Sequence, residues 1–361
     1  MPDCIIVGGG VIGLMTARKL FLEGMDVLLL EKGPLGGESS WAGGGIVSPL
    51  YPWRYHESVN VLAERSKKLY PGLVTQLLDE TGIDSELITS GLFTVTENNQ
   101  AIQQWLQQWS VDAQYISGPD AVKAIEPAVG PAVDHGLWMP DIMQVRNPKI
   151  VSALKASFEH HAIPFREQLA VDDILIKNGR VRGVSAGGEN YYAEKIVIAS
   201  GAWSAQFAAT RGTVNVSPVK GQMIMYRGEP GLLKRIVLSE GHYVIPRCDG
   251  RILAGSTLEK IGFDKTVSTE AQEELHQAAI ELVPLLADLP IERQWAGLRP
   301  GTEKGIPYIC EHDTIQGLYI HAGHFRNGIV LGAASVELMA DIIQNRRPWC
   351  DPVAYTLHAE H

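Results

Sequence analysis

Cysteine is scarce in this sequence. Cys4, Cys248, Cys310 and Cys350 are the only four in 361 residues, and they lie far apart with no CxxC spacing. In a chain of this length without a signal peptide, that pattern reads as free thiols rather than as two disulfides. An excess of positive charge is missing too. The net charge is −10, the sequence pI is about 5.6, and the basic pairs Lys67-Lys68 and Arg346-Arg347 are isolated, so a nucleic-acid partner is not expected. Long hydrophobic runs are absent as well. The longest early one, Cys4 to Ala17, is interrupted by four glycines, is too short to span a bilayer and has no basic segment before it. The expectation is a cytoplasmic enzyme without stable membrane association. No Ser/His/Asp constellation stands out. His321 and His324 have HxxH spacing but no third ligand, so they read as loop residues and no metal is expected.

What is present is the balance of a soluble globular chain, with 45% hydrophobic and 20% charged residues. Its length predicts two or three units at roughly 150 residues each. Asp3 to Val7 reads as a buried strand, Val11 to Gly24 as a helix closed by glycine, and Asp26 to Leu30 as a second strand, which together make one βαβ unit. Similar apolar strands at Lys195–Ala199 and Leu318–His321 extend the same parallel sheet. Between them, Gly91–Glu97, Gly221–Gly228, His242–Cys248 and Arg251–Gly255 carry the marks of an antiparallel sheet, while Thr269–Leu286 is helical in pattern. The fold class is therefore α/β (α+β overall): a Rossmann-like nucleotide domain with a parallel sheet, plus a mostly antiparallel β domain for substrate. The expected boundaries are 1–82, 140–216 and 296–361 for the discontinuous first domain, and 83–139 and 217–295 for the second.

Gly8-x-Gly10-x-x-Gly13 follows a strand, opens a helix and precedes Glu31 at the end of the next strand. Gly8 permits the tight turn, Gly10 lets the backbone approach a pyrophosphate, Gly13 lets helix and strand pack closely, and Glu31 can accept from ribose hydroxyls. Gly36 to Gly45 is too rich in glycine for a helix. It reads as a second backbone contact along an extended cofactor, which suits FAD better than a nicotinamide nucleotide. Trp203 follows another small-residue turn and is expected near the FAD. Arg299 lies in an apolar, small-residue stretch where an unpaired charge is costly, which favours a substrate-anchoring role over a surface salt bridge.

Four segments together resemble the D-amino-acid-oxidase family of FAD-dependent oxidoreductases: Ile5-Ile6-Val7-Gly8-Gly9-Gly10-Val11-Ile12-Gly13, Ala199-Ser200-Gly201-Ala202-Trp203-Ser204, Trp295-Ala296-Gly297-Leu298-Arg299-Pro300-Gly301-Thr302 and Ala322-Gly323-His324-Phe325-Arg326-Asn327-Gly328-Ile329. With Gly241-His242-Tyr243-Val244-Ile245-Pro246-Arg247, the likeness is greatest to the glycine oxidases of thiamine thiazole synthesis. The resemblance implies that Arg299 pairs with a substrate carboxylate, supported by Tyr243 and with Arg326 near the flavin, while Ile46 and Leu258 form the pocket wall. For FAD it implies Gly8, Gly10, Val11, Ile12, Gly13, Glu31, Lys32, Ser39, Ser40, Gly44, Gly45, Ile46, Ala170, Ser200, Gly201, Trp203 and the run His324, Phe325, Arg326, Asn327, Gly328, Ile329, Val330. Ile46 and Leu258 depart from the methionines common in the family, and both stay apolar. No residue is expected to act as acid or base, since hydride passes to the flavin.

The implied reaction is oxidative deamination of glycine, sarcosine or small D-amino acids to imine or 2-oxo acid, with ammonia and hydrogen peroxide, by a homotetramer using molecular oxygen. Two alternatives stay open: a D-amino-acid or secondary-amine dehydrogenase that delivers electrons to another acceptor, and a non-enzymatic protein that kept the fold. Sarcosine oxidases, similar in fold, tether flavin to a cysteine. Cys310 falls several residues beyond that place, so non-covalent FAD is expected. The purified protein should be yellow, and acid precipitation should release the colour into the supernatant; colour kept in the pellet would show a covalent link.

Overall fold

A computed structural model describes all 361 residues. Its organising element is the strand Cys4–Val7, at the centre of a six-stranded sheet. It pairs in parallel with Val27–Leu30 on one side and Lys195–Ile198 on the other. Leu318–Ala322 continues the parallel set, while Tyr308–Glu311 closes that edge antiparallel and Phe165–Arg166 closes the other in parallel. Successive strand residues point to opposite faces, and here both faces are covered. Cys4 and Ile6 pack into a core with the helices Val11–Leu22, Glu57–Thr81, Asn147–His160 and Gly328–Ile343. Ile5 and Val7 pack instead against the three-stranded meander Val171–Lys177, Arg180–Ala186, Glu189–Tyr192. This double burial is why the parallel strands read as continuous apolar runs.

An eight-stranded sheet holds the second core. Ser217–Arg227 and Ile291–Gly301 pair antiparallel from Ser217 opposite Gly301 to Tyr226 opposite Ile291. Arg251–Gly255, His242–Pro246, Ile236–Ser239, Leu92–Thr94, His135–Met139 and Gln114–Ser117 follow in order. All pairs are antiparallel except Ile236–Ser239 with Leu92–Thr94. The strand Ile291–Gly301 runs unbroken through 295/296, where sequence patterning put a boundary, because its long ladder with Ser217–Arg227 leaves no joint there. The helix expected over 269–286 ends at Leu282, and Pro284, which has no N–H to donate, opens a 3₁₀ turn to Asp288. The glycine-rich stretch 36–45 departs from expectation in containing one helical turn, Ser39–Ala42. Outside partners hold that turn: the Asn147 amide donates to the Ser40 carbonyl at 2.7 Å and the Trp295 indole to the Ala42 carbonyl at 3.0 Å.

Three helices of the first core meet at one buried ion pair. Arg18, on Val11–Leu22, donates to Glu80 on Glu57–Thr81 and to the Ser157 hydroxyl on Asn147–His160, which itself donates to Glu80. Burial alone would raise the Glu80 carboxyl, but hydrogen bonds from Ser157, His161 and Arg18 outweigh it and hold its pKa below the ordinary value. A depressed folded-state pKa stabilises the protein above the unfolded value of about 4.3, and the contribution is lost as pH falls through the folded value. Glu80→Ala leaves the Arg18 guanidinium buried and unpaired, so urea unfolding at pH 7 should show a loss of roughly 3–5 kcal/mol. The variant should also lack part of the wild-type decline below about pH 4.3.

Candidate active site

The glycine turn lies where the central strand hands over to the first helix. Gly8 has φ +115, and a Cβ there would stand 2.5 Å from the Ala199 carbonyl oxygen, just past the end of the neighbouring parallel strand. A Cβ on Gly13 would meet the Gly8 carbonyl oxygen at 1.9 Å, so Gly13 serves the helix–turn packing and does not itself line the cavity. At Gly10 a Cβ would meet only the Ser40 hydroxyl, at 3.2 Å. Ser40 also accepts from the Val11 N–H at the helix N-terminus, at 2.8 Å, so the second glycine-rich stretch is docked on the first. Glu31 is stitched into the turn: its carboxylate accepts from Gly9 N–H at 2.6 Å and from Gly33 N–H at 2.8 Å. The carboxylate expected to meet a ribose therefore also shapes the phosphate turn.

A continuous cavity of about 600 Å³ runs from this turn to the antiparallel sheet, well within the range of ligand sites. Of the residues expected at the cofactor, Gly8, Gly10, Val11, Ile12, Glu31, Lys32, Ser39, Ser40, Gly44, Gly45, Ile46, Ala170, Ser200, Gly201, Trp203 and His324 through Ile329 line it. Val330 is buried behind the wall with Gly13. At the mouth, the Lys32 ammonium sits 3.1 Å from the Trp203 ring centre, Phe263 packs against the same indole, and Lys265 pairs with Glu38.

Arg299 reaches the cavity from the long ladder. Its guanidinium lies across bare backbone at Gly221, where a Cβ would stand 2.1 Å from Nη2. Nη2 donates to Ser256 Oγ at 2.7 Å, and Nη1 to the carbonyls of Thr257 at 3.0 Å and Lys220 at 3.4 Å. Burial, with the like charge of Arg326, lowers its pKa against the opposing effect of Tyr243, and no carboxylate lies within 4 Å. Tyr243 lines the same space, and its hydroxyl reaches only the Met223 thioether, at 3.7 Å, a weak acceptor. Ile46 and Arg326 line it too. Leu258 does not: its side chain is 47% exposed and lies outside the cavity lining, so it is not part of the pocket wall.

Met223, Gly221, Ser256 and Asn147 belong to the cavity but carry no motif of their own; only the tertiary fold brings them in. His321 and His324 were expected in a loop, but His321 is on the buried strand Leu318–Ala322 and both rings are buried. Thr16 and Ser335 spend their hydroxyl protons on the carbonyls of Ile12 and Gly332, so His321 Nδ1 and His324 Nε2 must donate to them, at 3.0 and 3.1 Å. Burial drives the His324 pKa down to about 3 and that of His321 well below its ordinary value, so both are neutral.

The chain fits FAD on these grounds: a glycine turn at a helix N-terminus, an acidic residue beside it, and one cavity leading to an uncompensated guanidinium. All four cysteines are free, and none lines the cavity. The family described as FAD dependent oxidoreductase (DAO) matches residues 3–342. A protein named glycine oxidase from Pseudomonas aeruginosa is 45% identical over 97% of this chain and 97% of its own. A protein from Trichormus variabilis named bifunctional protein ThiO/ThiG is 32% identical over 99% of this chain and 54% of its own. The crystal structure of glycine oxidase from Geobacillus kaustophilus superposes with a TM-score of 0.90 at 30% identity, covering 99% of this chain and 98% of that one.

Gly221 offers a way to displace the guanidinium without touching either arginine or cofactor residues. Its φ is unexceptional and the clash is with the flexible end of Arg299, so Gly221→Ala should fold and keep FAD. It should weaken binding of a small carboxylate such as acetate by at least about tenfold, or 1.4 kcal/mol, read from the perturbed flavin spectrum.

Proposed function

The chain belongs to the DAO family of FAD-dependent oxidoreductases, and we propose that it oxidises glycine, and also sarcosine and small D-amino acids, with molecular oxygen as electron acceptor. The amino acid loses two electrons and two protons to become an imine, which water converts to 2-oxo acid and ammonia; oxygen takes up the electrons and protons as hydrogen peroxide. The observation that carries this reading is Arg299, a cavity-facing guanidinium held by neutral acceptors and matched to no carboxylate of its own chain. When bound, FAD supplies the two-electron acceptor chemistry.

The residues of the chain bind and orient. The planar fork of Arg299 suits the two oxygens of a substrate carboxylate, and the Tyr243 hydroxyl is free to donate to the same group. Met223, Ile46 and Leu50 give the space an apolar wall, and such a wall discriminates by about 1–3 kcal/mol per methylene. Fixing the carboxylate sets where the α-carbon lies, which is the main contribution a protein makes to a cofactor-borne reaction. Resemblance to the thiazole-synthesis oxidases, and a relative fused to a second unit, favour a product destined for thiamine. We take the working form to be a cytoplasmic homotetramer; no helix is long and apolar enough to cross a membrane.

Arg299→Ala should keep FAD and the fold. A hydrogen bond to a charged group contributes about 1.5–3 kcal/mol, so losing two should slow anaerobic flavin reduction by glycine about 10²- to 10⁴-fold. Arg299→Lys should recover only part of this, because a point charge does not reproduce the fork. Reduction by ethylamine, which has no carboxylate, should be nearly unchanged; an equal loss for both amines would make Arg299 a structural residue. Peroxide formed per oxygen consumed tests the acceptor, and flavin that is reduced by glycine yet not reoxidised by oxygen points to a dehydrogenase.

A further inference from the structure

Three acceptors hold the Arg299 guanidinium: Ser256 Oγ, the Thr257 carbonyl and the Lys220 carbonyl. One residue outside the cavity bonds to two of them, Thr257 and Lys220, and shares a short segment with the third. Glu259 exchanges both main-chain hydrogen bonds with Lys220, at 2.9 and 3.0 Å. Its carboxylate accepts from the Thr257 hydroxyl at 2.5 Å and from the Gln222 amide at 3.0 Å. The Lys220 ammonium stands 3.3 Å from its other oxygen, and Ser256 precedes this short segment directly. Lys220 is only 3% exposed and sits one position along the strand from Val219, which faces Arg299 in the ladder. Glu259 is its only carboxylate partner, the other contact being the Thr266 carbonyl.

We infer that Glu259 is a positioning residue for the carboxylate anchor: it neutralises the buried Lys220 and clamps Thr257, so that the guanidinium of Arg299 is aimed into the cavity instead of toward its own backbone. Without that carboxylate, the buried Lys220 ammonium keeps only the Thr266 carbonyl, and the Thr257 hydroxyl keeps only the Gln222 N–H, at 2.9 Å. The consequence falls on binding of the substrate carboxylate, since Glu259 touches neither substrate nor cofactor. This inference rests on the reading of Arg299 given above.

The test uses the FAD-loaded enzyme. Glu259→Gln keeps the shape and removes the charge. Acetate binding is read from the flavin spectrum, and anaerobic reduction is measured across a range of glycine concentrations and with ethylamine. The expected result is about tenfold weaker binding of acetate and glycine, a coupling ordinary for residues in one hydrogen-bond network. The limiting reduction rate, the ethylamine rate and FAD retention should stay within about twofold of wild type on the same grounds. Unchanged binding of acetate and glycine would overturn the inference, as would an equal loss with ethylamine. If Glu259→Gln does not fold, Thr257→Val removes no charge and two hydrogen bonds, the one to Glu259 and the one from the Gln222 N–H; it should weaken acetate binding severalfold, and wild-type affinity there would overturn the inference equally. Arg299→Ala is measured alongside. If it binds acetate like wild type, the anchor role itself fails; if it is sensitive while Glu259→Gln is not, only the positioning role fails.

Discussion

Taking a guanidinium out of water costs several kcal/mol unless its N–H groups find acceptors. Arg299 meets that requirement with two carbonyls and a hydroxyl instead of a carboxylate. Neutral acceptors satisfy its hydrogen bonds and leave its charge available. Much of the antiparallel sheet serves this arrangement. The ladder between Ser217–Arg227 and Ile291–Gly301 sets the arginine opposite Val219, next to a glycine whose missing side chain is the room the guanidinium occupies. The segment that begins at Ser256 then supplies two of the three acceptors, and Lys220 on the ladder supplies the third.

At the other end of the cavity the demand is for unpaired donors. A helix N-terminus provides them only if the chain approaches it through a turn tight enough to clear the next strand, which Gly8 allows at φ +115. Glu31 and Ser40 hold that turn by its own N–H groups. The second glycine-rich stretch is thus part of the turn's architecture as well as of the cavity wall. Its single helical turn is fixed by Asn147 and Trp295, residues from two other regions of the chain.

Much of the parallel sheet was legible because its strands are buried on both faces and so spell out continuous apolar runs, as at Cys4–Val7 and Lys195–Ile198. The βαβ unit was legible for the added reason that its glycines and Glu31 have fixed stereochemical duties. The meander Val171–Tyr192 was not, since two of its strands are largely exposed and carry little periodicity. His321 was misread as a loop residue because its context, a strand packed against a helix, is tertiary, while His324 does lie in the turn that follows the strand. Leu258 follows Ser256 and Thr257 in sequence, yet it points to solvent while they turn to the arginine.

Sequence alone determined what local chemistry dictates: the dinucleotide turn, the mixed architecture, and an arginine in a stretch too apolar to leave it idle. Tertiary structure decided which partners meet. Gly221 under the guanidinium, Met223 against Tyr243, and Glu259 against Lys220 are each joined by strand pairing or side-chain reach between separate segments of the chain. Periodicity records which face a residue presents, and it carries no information about what the opposite strand places there. That second quantity depends on register, and register is set by the burial of two whole sheets.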